Sequence, residues 1–167
     1  MSLLNLPKLL GLPPSRNGRA IAYLIPVSLI LAITQLGLTA ISVGFWQYYI
    51  PLAIASLTIV HHVIILCILF YIRRPSRTHV PHCLTRGMNV TFLLLFDAVW
   101  ISETGVGFWF WTMGGWLADD TPYDRPGQQL ASNVFALLEC LVLGALAVFC
   151  ELARRERRRE LKGVRQI

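Results

Sequence analysis

Five ionisable side chains fall inside long apolar stretches of this chain: His61 and His62, Asp97 and Glu103, and Glu139. Such groups are costly in a bilayer and default to a functional hypothesis. A carboxylate beside an imidazole can share a proton or a hydrogen bond, which makes both tolerable in a low dielectric. One chemistry would be a proton or cation relay, as in a small transporter or channel, carried by His61, His62, Glu103 and Glu139. A second, haem ligation, needs imidazoles from two helices. His61 and His62 are neighbours that point about 100° apart on one helix, and His79 and His82 fall in the following loop. No cofactor and no metal is therefore expected. The third use is interhelical glue, at about 0.6 kcal/mol per hydrogen bond. At 1.5 Å per residue, all five groups fall within roughly 4 Å of the midplane. They are expected to meet in one central layer.

The elements that would carry these groups follow from composition. Of 167 residues, 55% are hydrophobic and 14% charged, with a mean hydropathy of +0.58. A soluble domain carries about 25% charged residues, so the composition argues against a soluble enzyme, a disordered tail and a nucleic-acid-binding domain. Apolar stretches cover residues 20–44, 50–72, 89–111 and 130–152. Each exceeds the roughly 20 residues a helix needs to cross a bilayer. The strict alternation of a membrane β-strand is absent. The expected fold class is all-α: an integral membrane four-helix bundle, with a cytoplasmic segment at 1–19, a four-span domain at 20–152 and a basic cytoplasmic tail at 153–167. The first stretch is longer than a signal-peptide apolar core and reads as a retained signal anchor.

Fourteen of the fifteen Lys and Arg residues lie in three segments: before the first span, between the second and third, and after the fourth. The loop between the third and fourth spans has only Arg125. The positive-inside rule then places both termini and the middle loop in the cytoplasm. Aromatic residues agree. Phe45, Trp46, Tyr48, Tyr49, Phe108, Trp109, Phe110, Trp111 and Trp116 gather at the opposite interface, where apolar rings with wet tips are favoured.

The flanks and loops add partners rather than catalysis. Residues 1–19 are Leu-rich but broken by Pro7, Pro13 and Pro14, which suits a short interfacial segment or a loose tail. Asp119, Asp120 and Asp124 match no calcium-loop spacing and read as a solvated acidic turn. Arg154, Arg155, Arg157, Arg158 and Arg159 should extend the fourth helix into the cytosol and bind anionic lipid headgroups, at about 1 kcal/mol per basic residue. Nucleic acid is not an expected partner of a run tethered to a membrane. The four cysteines form no Cys-x-x-Cys pair and no outer disulfide framework. Cys83 and Cys150, near the inner interface, could be palmitoylated. The sequon Asn89-Val90-Thr91 would face the cytoplasm and stay unmodified.

Small and polar residues point to tight packing. Ser28, Ala32, Gln35, Thr39 and Ser42 form a seam along the first span, and Ala136, Cys140 and Gly144 recur every fourth residue in the last. Gly105 and Gly107 could loosen the third span beyond Glu103. The string Phe96-Asp97-Ala98-Val99-Trp100, with four spans, inward termini and short outer loops, resembles MARVEL-type four-span proteins, particularly the small fungal ones. Those commonly place an acidic residue a few positions before a Trp in the third span. The resemblance covers residues 18–152 in architecture and rests mainly on Asp97, Trp100 and the aromatic outer ends. It implies membrane organisation or vesicle trafficking without catalysis. Tetraspanin and claudin patterns are absent, for want of a large outer loop with Cys-Cys-Gly and of a Cys pair in the first loop. The expectation is a non-enzymatic multi-pass protein that associates laterally with lipids, with other membrane proteins or with itself. No hydrolase, nucleotide or redox motif supports catalysis.

Overall fold

The computed structural model describes residues 6–41, 49–72, 79–114 and 126–164. The elements among them are α-helices: α1 (Leu6–Leu9), α2 (Arg16–Ile41), α3 (Tyr49–Tyr71), α4 (His82–Thr85), α5 (Gly87–Gly114) and α6 (Pro126–Val164). Four of these, α2, α3, α5 and α6, are long and apolar enough to cross a membrane. Proline placement suits the boundaries. Pro126 opens α6 and Pro51 sits in the first turn of α3, where a missing N–H costs nothing. Pro26 is the exception, inside α2.

The four long helices form a ring. α6 packs extensively on α2 and α5, α2 packs on α3, and α3 touches α5 only lightly. The order around the ring is thus α2, α3, α5, α6, with sequential neighbours antiparallel. Side-chain pairs fix the register. Ser28 meets Glu139 and Gln35 meets Ser132 across α2 and α6. Across α5 and α6, Gly87 lies beside Arg154, Asp97 beside Gly144, and Gly107 beside Asn133. Gly107 has no room for a Cβ against the Asn133 side chain. α5 continues through both Gly105 and Gly107 to Gly114.

Burial differs from that of a soluble bundle in that an apolar core with polar side chains among it is wrapped in apolar outer faces. Gln35, Thr58, Glu139 and His62 are buried to 1% exposure or less. Ile30, Leu57, Ile101 and Leu141 on the outer faces are each more than half exposed. The seam expected on α2 is inward-facing, since Ser28, Ala32, Gln35 and Thr39 are all buried; Ser42 lies outside the described residues.

At the end of the bundle where α2 and α5 begin, here the tail end, residues 6–13 depart from a loose tail or surface strip. Pro7, Leu10, Leu12 and Pro13 are buried. Leu10 and Leu12 belong to the same apolar core as Val80 and Leu84. Gly11 takes a positive φ of 63°, a left-handed turn that a Cβ would disfavour, and this folds the segment back before α2 starts. The prolines prevent a long helix but not burial.

Candidate functional site

The polar interior is built where the helix seams meet. Glu139, on α6, accepts a hydrogen bond from Ser28 Oγ of α2. One turn pair further along, Gln35 Nε2 donates to Ser132 Oγ at 2.6 Å. Thr104 Oγ1 lies 3.7 Å from Cys140 Sγ across α5 and α6. Asp97 rests against the bare backbone of Gly144. Asp97 Oδ1, Glu103 Oε2 and Glu139 Oε2 are buried and have no hydrogen-bond partner among the described residues.

The five ionisable groups expected in one central layer are staggered along the bundle. The imidazoles lie toward the tail end, where His61 Nε2 is 3.0 Å from Asn89 Oδ1. Asn89 and Glu103 are separated by about 21 Å along α5. Asp97 falls between them, while the α5–α6 register puts Glu139 near the level of Glu103. His61 also packs on Phe96, the residue before Asp97, so the groups step along the bundle as a ladder.

The lower end of this ladder is a hydrogen-bonded thread between α3 and α5. Trp100 is fully buried, and its Nε1 donates to Thr58 Oγ1 at 3.2 Å. The carbonyl of Thr58 is 2.8 Å from His62 Nδ1. Asn89 Nδ2 donates to the carbonyl of Leu84 at 3.0 Å. The two imidazole rings meet edge to face, with centroids 5.5 Å apart, and Phe96 packs edge-on against His61 at 5.4 Å. His61, His62, Asn89 and Cys150 line a small cavity with Ile25 and Leu146. It has room for about one water molecule.

The basic tail continues α6 without a break. Arg154 and Arg155 both pair with Glu151, at 3.2 and 3.1 Å. Arg158 and Arg159 are exposed and Arg157 is partly exposed. Of the two expected acylation sites, Cys150 is fully buried, which withdraws its thiol from any acyl donor, and Cys83 is half-buried. Tyr49 and Trp109 are exposed at the end opposite the tail. Phe45, Trp46, Tyr48, Trp116 and the acidic triplet Asp119, Asp120 and Asp124 lie outside the described residues. No group of three or more His, Cys, Asp or Glu side chains among the described residues could hold a metal ion.

Sequence reasoning located the ionisable residues but missed the partners Thr58 and Asn89 of the two histidines, and Ser132 as the partner of Gln35. Asn89 reads as a sequon in the sequence, yet in the bundle it anchors His61. Its one available signal was an amide at the edge of an apolar stretch, level with polar residues of another. No family model, curated protein or solved structure matches the chain.

Proposed function

We propose that this chain is a multi-pass membrane protein that organises membranes or their traffic by lateral association with lipids or other membrane proteins, and that it is not an enzyme. The observation that carries the reading is the bundle's apolar outside. Large apolar side chains cover its outer faces, while Gln35, His62 and Glu139 are turned inward, as suits a lipid solvent. Large exposed apolar surfaces on a folded chain mark contact with membrane or protein. Leu10, Leu12, Val80 and Leu84 near the tail end belong to one buried apolar core, which favours a scaffold over a conduit. Both termini and the middle loop face the cytoplasm in this reading, and Arg157, Arg158 and Arg159 meet anionic headgroups. The Asp97–Trp100 resemblance to MARVEL-type proteins points to the same class.

A second reading, a small proton- or cation-coupled transporter or channel, draws on the buried carboxylate oxygens spaced along α5 and α6. Flux assays separate the two. Purified protein in liposomes should pass no protons or monovalent cations under imposed gradients, and crosslinking in native membranes should capture partners or a second copy. Flux that collapses in Glu103→Gln or Glu139→Gln, with folding intact, would overturn the scaffold reading.

A further inference from the structure

The thread between α3 and α5 is continuous except at one place. From Trp100 it runs through Thr58 to His62, and from Leu84 through Asn89 to His61. The two halves face each other across the cavity that both imidazoles line. Their outer partners fix the proton positions. His62 Nδ1 faces a backbone carbonyl, which can only accept, so the proton sits on Nδ1 and Nε2 keeps a lone pair. Asn89 gives its amide nitrogen to the Leu84 carbonyl, so its oxygen faces His61 Nε2. That nitrogen must donate, and His61 Nδ1 keeps the lone pair. Both lone-pair atoms, His61 Nδ1 and His62 Nε2, are buried without a hydrogen-bond partner among the described residues. His62 is 1% exposed.

Two unpartnered acceptors on adjacent residues that line one cavity call for a shared donor or a Lewis acid. We propose that the cavity between His61 and His62 is a binding site for one water molecule, which donates to His61 Nδ1 and His62 Nε2 and completes the thread. Water fits on two counts. The cavity has about one molecule's space, and a buried water normally joins two to four polar groups. A metal fits less well, since the described residues offer no three-ligand set. The bridge has a structural role. α3 and α5 share the slightest helix contact in the ring, and the completed thread ties them together through Trp100–Thr58 at one end and His61–Asn89 at the other.

Solid-state NMR of the full chain in bilayers, with 15N-labelled histidine and tryptophan, tests the site at neutral pH. The expected result is two neutral imidazoles of opposite tautomer, with His62 protonated at Nδ1 and His61 at Nε2. Magnetisation from water should reach His61 Nδ1 and His62 Nε2 several-fold faster than it reaches the Trp100 indole. Leu146→Phe keeps both imidazoles while filling the cavity, and should abolish that difference. His62→Phe, an independent variant, should remove the transfer to His61 Nδ1. Transfer no faster than to Trp100 would overturn the proposal, as would an imidazole protonated on both nitrogens. Purified protein that retains one equivalent of zinc or copper(I), lost in His62→Phe, would assign the lone pairs to a metal instead.

Discussion

At the scale of single residues, the interior depends on a few hydrogen bonds made where water cannot compete. Glu139 is fully buried with Ser28 as its donor. Ser28→Ala removes that donor and is expected to lower stability by about 0.6 kcal/mol, the average for interhelical bonds in membranes. Glu139→Gln retains an oxygen that can accept from Ser28 and should cost little. Glu139→Ala loses the bond and leaves a hole, so it should cost more than Ser28→Ala. Thermal unfolding of the three variants in one detergent checks the ranking. The ionisable residues themselves were plain in the sequence, because charges stand out in apolar stretches. Their pairings were not. A hydrogen bond between Ser28 and Glu139 depends on the register of helices 111 positions apart, and nothing local in either segment encodes it.

At the scale of elements, glycines divide into those that seat a neighbour and those that do not. A Cβ at Gly107 would collide with Asn133, and one at Gly144 would press on Asp97. Gly107→Leu should therefore force α5 from α6 at a cost of about 1–3 kcal/mol. Gly37 and Gly105 have open space where a Cβ would stand. Changing either to Ala should be neutral or stabilising by up to about 1 kcal/mol, through helix propensity alone. Melting temperatures in detergent separate the two classes. Sequence periodicity found the α2 seam, because Ser28, Ala32, Gln35 and Thr39 repeat at helical spacing and share a face. It gave no account of residues 6–13. The two prolines there argue only against a long helix, and the burial of Leu10 and Leu12 comes from their joining a core that includes distant Val80 and Leu84.

At the scale of the whole molecule, the four long helices were legible as uninterrupted apolar stretches, and their order around the ring was not. Each long helix is apolar on its exposed side, so hydropathy alone names no partner face. The topology predicts labelling by a membrane-impermeant thiol reagent in sealed microsomes. Ser76→Cys should react directly from the cytoplasmic side. Asp119→Cys should react only after permeabilisation, and the reverse pattern would invert the proposed orientation. The tail predicts lipid preference. Replacing Arg157, Arg158 and Arg159 with Gln should weaken binding of anionic lipid by about 3 kcal/mol in total, from about 1 kcal/mol per charge near the surface. Lipid adducts retained in native mass spectrometry should fall accordingly, and raised salt should reproduce part of the loss.

α6 runs for 39 residues without interruption, about 58 Å in all. With residues 130–152 spanning a hydrocarbon core of about 30 Å, the 12 residues that follow extend the rod about 18 Å beyond it. The helix is then a lever with its fulcrum in the bundle. Tilting it by about 10° within the bilayer, well inside the range such helices adopt, would sweep the arginine-bearing end through roughly 3 Å. Bilayer thickness, sensed by the packed half of one helix, would thereby be read out as a displacement on the far side of the headgroups.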